Sequence, residues 1–193
     1  SVLLLGIGCT AARLLGNITA SVACTGMLGI LHMDLDPEAF LAQALPLLDR
    51  KAGTADRVTH AVHVANGYLA KGEPDAAIAL LKRQQVPEQA AALRGLVASN
   101  LGTACLQKGD RAGAAAALEE LKQVIRSRHC KEKFREKARR IIAYQQICLD
   151  VLNGKRGRLK ELEQDYENTK SPFHKLSVGR FLEKVRRSKK LAV

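Results

Sequence analysis

Two stretches, Tyr68-Leu69-Ala70-Lys71-Gly72-Glu73-Pro74-Asp75-Ala76-Ala77 and Cys105-Leu106-Gln107-Lys108-Gly109-Asp110-Arg111-Ala112-Gly113-Ala114, carry one pattern 37 residues apart. In each, an apolar anchor stands four residues before a Gly, and a small Ala stands five residues after it. The Gly allows the chain to reverse tightly, and the Ala allows the second helix to lie close against the first. A fixed interval of this kind is the mark of a repeat architecture.

Working outward, the chain reads as amphipathic helices with brief Gly, Pro and Asp punctuation. Asp36-Pro37-Glu38 is a helix start, with a capping side chain, a preset φ and an acid at the positive end of the dipole. Phe40, Leu41, Ala44, Leu45 and Leu48 form the stripe that follows, and Pro46 divides it. A helix from about Asp56 to Lys71 turns Val58, Ala61, Val62, Ala65 and Leu69 inward, and the next uses Ala77, Ile78 and Leu81. Val86-Pro87-Glu88 is expected to open another, with Leu93, Val97, Leu101 and Cys105 on its core side. Beyond Gly109-Asp110 come Ala114, Leu118 and Leu121, then a longer helix from Phe134 to Leu152 closed by Asn153-Gly154. Leu159, Leu162 and Tyr166 mark a seventh. Ser171-Pro172 starts the last, whose apolar side is Val178, Phe181, Leu182 and Val185. No strand pattern competes, so the fold class is all-α. The expected architecture is an α-solenoid of antiparallel helix pairs over 34–193, preceded by a hydrophobic N-terminal helical segment, 1–33.

The paired turns resemble the tetratricopeptide repeat family. Its pattern places Leu-Gly, then Tyr three residues after the Gly, then a turn and an Ala on the second helix. The second unit supplies Leu101-Gly102 and Ala114 but has Cys105 in the Tyr place, whereas the first supplies Tyr68 and Ala77 but has Val64-Ala65 for Leu-Gly. The match covers residues 55–127 well and 34–190 loosely. The resemblance implies stacked helix pairs whose concave face holds a partner peptide or helix. Some members clamp a terminal carboxylate with two Asn and several cations. Asn66 and Asn100 fall near the two Asn places, one residue apart in register, while Val62 replaces the accompanying Lys and Gln145 stands where a third unit needs a base. Asn66, Asn100, His63 and Gln145 are the groove candidates.

Charge divides the chain further. Residues 1–121 carry 10 Lys and Arg against 11 Asp and Glu, whereas 122–193 carry 21 against 8, so the C-terminal third holds the whole excess of +12. A surface of that sign attracts polyanions. Lys184, Arg186, Arg187, Lys189 and Lys190 form its polybasic end, which resembles a nuclear localisation signal or a lipid-binding patch, and are the candidates for contact with anionic lipid. At the other end, residues 1–33 hold one charged side chain, Arg13, with Gly8, Ala12, Gly16 and Ala20 spaced four apart. A small-residue stripe lets membrane helices approach closely, and Leu14–Met33 is long enough to span. The readings of this segment are a membrane anchor, a truncated export signal and a buried hairpin. With an anchor, the repeat domain is expected on the cytoplasmic side.

Chemistry finds little support. The five cysteines are widely spaced with no CxxC pair, so neither a disulfide framework nor a zinc signature emerges. His60 and His63 share a helix face near Asp56, yet a zinc site needs further donors. Cys130 lies among Arg126, Arg128, Lys131 and Lys133, a setting that favours a thiolate, although a helix-start cysteine beside solvated charges is the simpler account. No nucleophile elbow, phosphate loop or HExxH occurs. The expectation is a non-enzymatic, membrane-associated adaptor without a cofactor, binding a protein partner in a helix-lined groove. The alternative is a nucleic-acid-binding repeat protein using residues 122–193.

Overall fold

The computed structural model describes residue 29 and residues 32–49, 53–169 and 172–190. The described residues are helical, with no strand among them. The anchor, export-signal and hairpin readings of 1–33 fall almost wholly outside these residues. Among the described residues, no helix is long and apolar enough to cross a membrane.

Among the described residues, eight α-helices follow residue 36: α1 (Pro37–Ala44), α2 (Thr54–Lys71), α3 (Pro74–Lys82), α4 (Ala91–Lys108), α5 (Arg111–Arg126), α6 (Glu132–Leu152), α7 (Arg156–Asn168) and α8 (Pro172–Lys190). The Asp36 carboxylate accepts from the Ala39 amide at 3.0 Å and caps α1, with Pro37 in the first turn. Pro46 sits in a 3-10 turn, Leu45–Leu47, so the Phe40 stripe is divided where a proline without an N–H requires it. One start differs from expectation. Val86-Pro87-Glu88 do not open a helix; the Ala90 amide bonds to the Pro87 carbonyl in a turn, and α4 begins at Ala91.

The turns after α2, α4 and α6 are built alike. Gly72, Gly109 and Gly154 take φ of 86°, 87° and 87°, a left-handed conformation that L side chains adopt only with strain. The next amide, of Glu73, Asp110 or Lys155, reaches back to the carbonyl of Tyr68, Cys105 or Asp150. These bonds satisfy carbonyls that the end of a helix leaves open. After the first two turns, buried Ala77 and Ala114 seat α3 and α5.

Packing follows from this regularity. Each helix from α1 to α7 packs on the next, and α2, α4 and α6 also pack in succession as one layer. Close approach within the layer uses two glycines, Gly95 and the Gly102 of the Leu101-Gly102 pair: a Cβ at Gly95 would meet the Phe134 ring at 2.3 Å, and one at Gly102 would meet Gln145 at 2.7 Å. The main core joins Leu69, Leu81, Cys105, Leu118 and Cys148 to Leu162 of α7 and to Val178, Phe181 and Leu182 of α8. In an open stack, each helix meets helices one or two places along. By contrast, α8 packs on α7 and on α4, four places back. The last helix folds over the layer.

Candidate interaction surfaces

The seat of α8 is defined by polar as well as apolar contacts. Val178, Phe181 and Leu182 are at most 3% exposed. One turn on, the Lys184 ammonium donates to the Gln107 carbonyl in the last turn of α4, where the helix dipole is negative. Burial lowers the pKa of Lys184, the cost of bringing its charge under the protein surface. Arg180 pairs with Asp34 ahead of α1, so α8 bridges both ends of the described chain. Enclosed by α2, α3, α5, α6 and α8, helix α4 has no fully exposed residue from Leu93 to Gln107.

The four groove candidates do not form one constellation. Gln145 is 2% exposed and wedged between α4 and α6, donating to the Ser99 carbonyl at 2.6 Å and the Thr103 hydroxyl at 3.2 Å. It packs the layer and has no open face toward a ligand. The Asn100 amide donates to the Leu96 carbonyl of its own helix at 2.8 Å. Asn66 is half-buried on α2. His63 lies about one turn earlier on α2, in a pocket of about 440 Å³ whose walls include His32, Phe40, Asp56 and His60. The His60 Nε2–H donates to the Ala44 carbonyl at 2.8 Å, tying α2 to the end of α1. Burial, then the neighbouring His60, lowers the His63 pKa. No group of metal-ligating side chains stands among the described residues.

The polybasic end is partly engaged. Besides Lys184, Arg186 pairs with Glu163 at 3.3 Å and Arg187 with Glu183 at 3.7 Å. Lys189 and Lys190 belong to α8, but their side chains are outside the described set. Among the described residues, the thiols of Cys105, Cys130 and Cys148 are interior groups. Burial pushes Cys148 up to about 12 and raises Cys105, which disfavours thiolate chemistry at either. Cys130 is 6% exposed against Ala91 and Val124, so it is a packed side chain.

An open cationic surface lies elsewhere, at the corner where α5 gives way to α6. Residues 126–140 hold eight Lys and Arg against two Glu. Arg135 organises the corner: its guanidinium donates to the Ile125 carbonyl at 2.8 Å, the Cys130 carbonyl at 3.0 Å and the Glu132 carboxylate at 2.5 Å. Phe134 lies over Gly95, and Cys130 anchors the turn from beneath. Arg126, Arg128, Lys131, Lys133, Lys137 and Arg140 are all exposed. The helical spacing of Phe134, Ala138, Ile141 and Ile142 turns those side chains inward and so leaves Lys133, Lys137 and Arg140 outward, a signal present in the sequence and not followed there. Compared with known proteins, the chain matches no family model, no curated protein and no solved structure.

Proposed function

We propose that the chain is a non-enzymatic adaptor whose layer of α2, α4 and α6 receives an amphipathic helix from a protein partner. The observation that supports this reading is the seat of α8, where one such helix, apolar on one side and basic on the other, already lies. An α-helical groove recognises its ligand through side chains at helical spacing, as Val178, Phe181, Leu182 and Val185 are spaced. A degenerate tetratricopeptide-like stack is the architecture that fits this use. Attachment to a membrane through residues 1–33, with the repeat domain on the cytoplasmic side, belongs to the same proposal.

A photo-crosslinking side chain placed at Gln107, beside the seat of α8, tests the groove. It should give a discrete partner adduct that strengthens when Phe181→Ala loosens α8, while the same probe at exposed Gln123 of α5 should give none. Equal adducts at both positions overturn the proposal. The attachment is tested separately, by fractionating chains with and without residues 1–33; equal release from membranes removes that part of the reading.

A further inference from the structure

We infer that the corner between α5 and α6 is a docking surface for the phosphate backbone of a nucleic-acid duplex, independent of the groove. Its six exposed cations, Arg126, Arg128, Lys131, Lys133, Lys137 and Arg140, belong to no ion pair among the described residues. By contrast, two exposed cations of α8, Arg186 and Arg187, face nearby carboxylates. A charge already paired releases fewer counterions on meeting a polyanion, so the corner outweighs the Arg186 and Arg187 pair.

The scaffold beneath is fixed before any ligand arrives. Arg135 clasps two backbone carbonyls, one at the end of α5 and one in the turn. The Ser127 hydroxyl accepts from the His129 amide, and the Cys130 amide bonds to the Ser127 carbonyl. Preorganisation of this kind lowers the entropy lost on binding. Lys133, Lys137 and Arg140 follow one face of α6 at intervals of four and three residues. At 1.5 Å of rise per residue, their spacing is about 6 and 4.5 Å, within reach of successive phosphates for long flexible side chains.

The absence of other chemistry at the corner selects the partner. Peripheral membrane helices insert an apolar face. Among the described residues the large exposed hydrophobics are Leu35 and Leu45, on either side of α1 rather than at the corner. Protein hot spots draw on buried aromatic anchors, and single strands are held by aromatic stacking. Phe134, the aromatic of the corner, is turned inward over Gly95. A duplex backbone needs cations alone, and it is read without sequence preference.

The test is fluorescence anisotropy of the full chain with labelled 20-base-pair DNA and RNA duplexes across a salt series. Each phosphate neutralised contributes a slope of about −0.9 in log K against log salt. Replacing Lys133, Lys137 and Arg140 with Gln should reduce that slope by about 2 to 3 and weaken binding at least tenfold at low salt. Arg186→Gln with Arg187→Gln should leave it unchanged, and circular dichroism of each variant should match the parent. An unchanged slope in the triple variant overturns the inference, as does a loss confined to the tail variant. Stronger retention on phosphatidylserine vesicles, or equal binding of poly-glutamate at matched charge, also overturns it.

Discussion

Gln145 shows how a polar residue can resemble a ligand contact and serve packing. Its Nε2 has two acceptors, whereas its Oε1 is buried without a hydrogen-bond partner. An unsatisfied buried acceptor costs about 1 to 3 kcal/mol, so an apolar side chain of similar shape should substitute well. Gln145→Met is expected to change stability by less than about 1 kcal/mol, while Gln145→Ala should cost about 2 to 4 kcal/mol through the cavity left between α4 and α6. Urea melts of the two variants decide this, and a larger loss with Met than with Ala contradicts the packing role. His63 gives a second expectation. Its folded pKa lies below the ordinary value of 6.5 because burial disfavours the charged ring. Below that pH the unfolded chain binds more protons at His63 than the folded one, so stability falls as pH falls and is retained above it. His63→Gln should flatten the acid side of a melting-temperature profile between pH 5 and 7, roughly the window around the ordinary histidine value.

At the scale of helices, the turns were legible and the fold-back was not. Gly72 and Gly109 announced themselves by position, and the structure gives both the same left-handed turn. Periodicity told which side of the last helix is apolar, because Val178, Phe181 and Leu182 share a stripe. It carried no information on which helix that side would meet, since an inward face is the same pattern against α6 or α4. The partners of α8 are set by long-range contacts, Lys184 with Gln107 and Arg180 with Asp34, which no local spacing encodes. Phe181→Ala should therefore loosen α8 before the rest: its amides should exchange faster in native-state hydrogen exchange while those of α4 hold. Uniform acceleration across both helices would mean that α8 is an inseparable part of the core. Gly109→Ala tests the turn itself. Forcing a Cβ into φ of 87° should cost about 1 kcal/mol or more, whereas Gly53→Ala, with open space around it, should cost less.

At the scale of the whole chain, a near-neutral sequence up to Leu121 is followed by a strongly basic one. The divided charge was readable from composition, yet the candidates chosen from it were the polybasic end, because a run of cations is conspicuous. The corner is less conspicuous in the chain, since Phe134, Ala138 and Glu132 interrupt it, and it becomes continuous only when α5 and α6 meet. Arg135 marks the boundary between structural and surface charge. Removing it strands the Ile125 and Cys130 carbonyls, so Arg135→Ala should destabilise the chain by about 1 to 3 kcal/mol, while Lys137→Ala should change little. Thermal unfolding of the pair separates these roles.

The return of α8 to α4 also orders events during synthesis. Every other contact in the layer joins helices one or two places apart and can form as soon as each leaves the ribosome. The surface that α8 covers is complete once α6 and α7 have emerged, but its cover emerges after them. At roughly 5 to 20 residues per second, the 19 residues of α8 take on the order of 1 to 4 s to add. For that interval the nascent chain displays an uncovered apolar face, and a partner or chaperone that binds it then competes with no intramolecular rival.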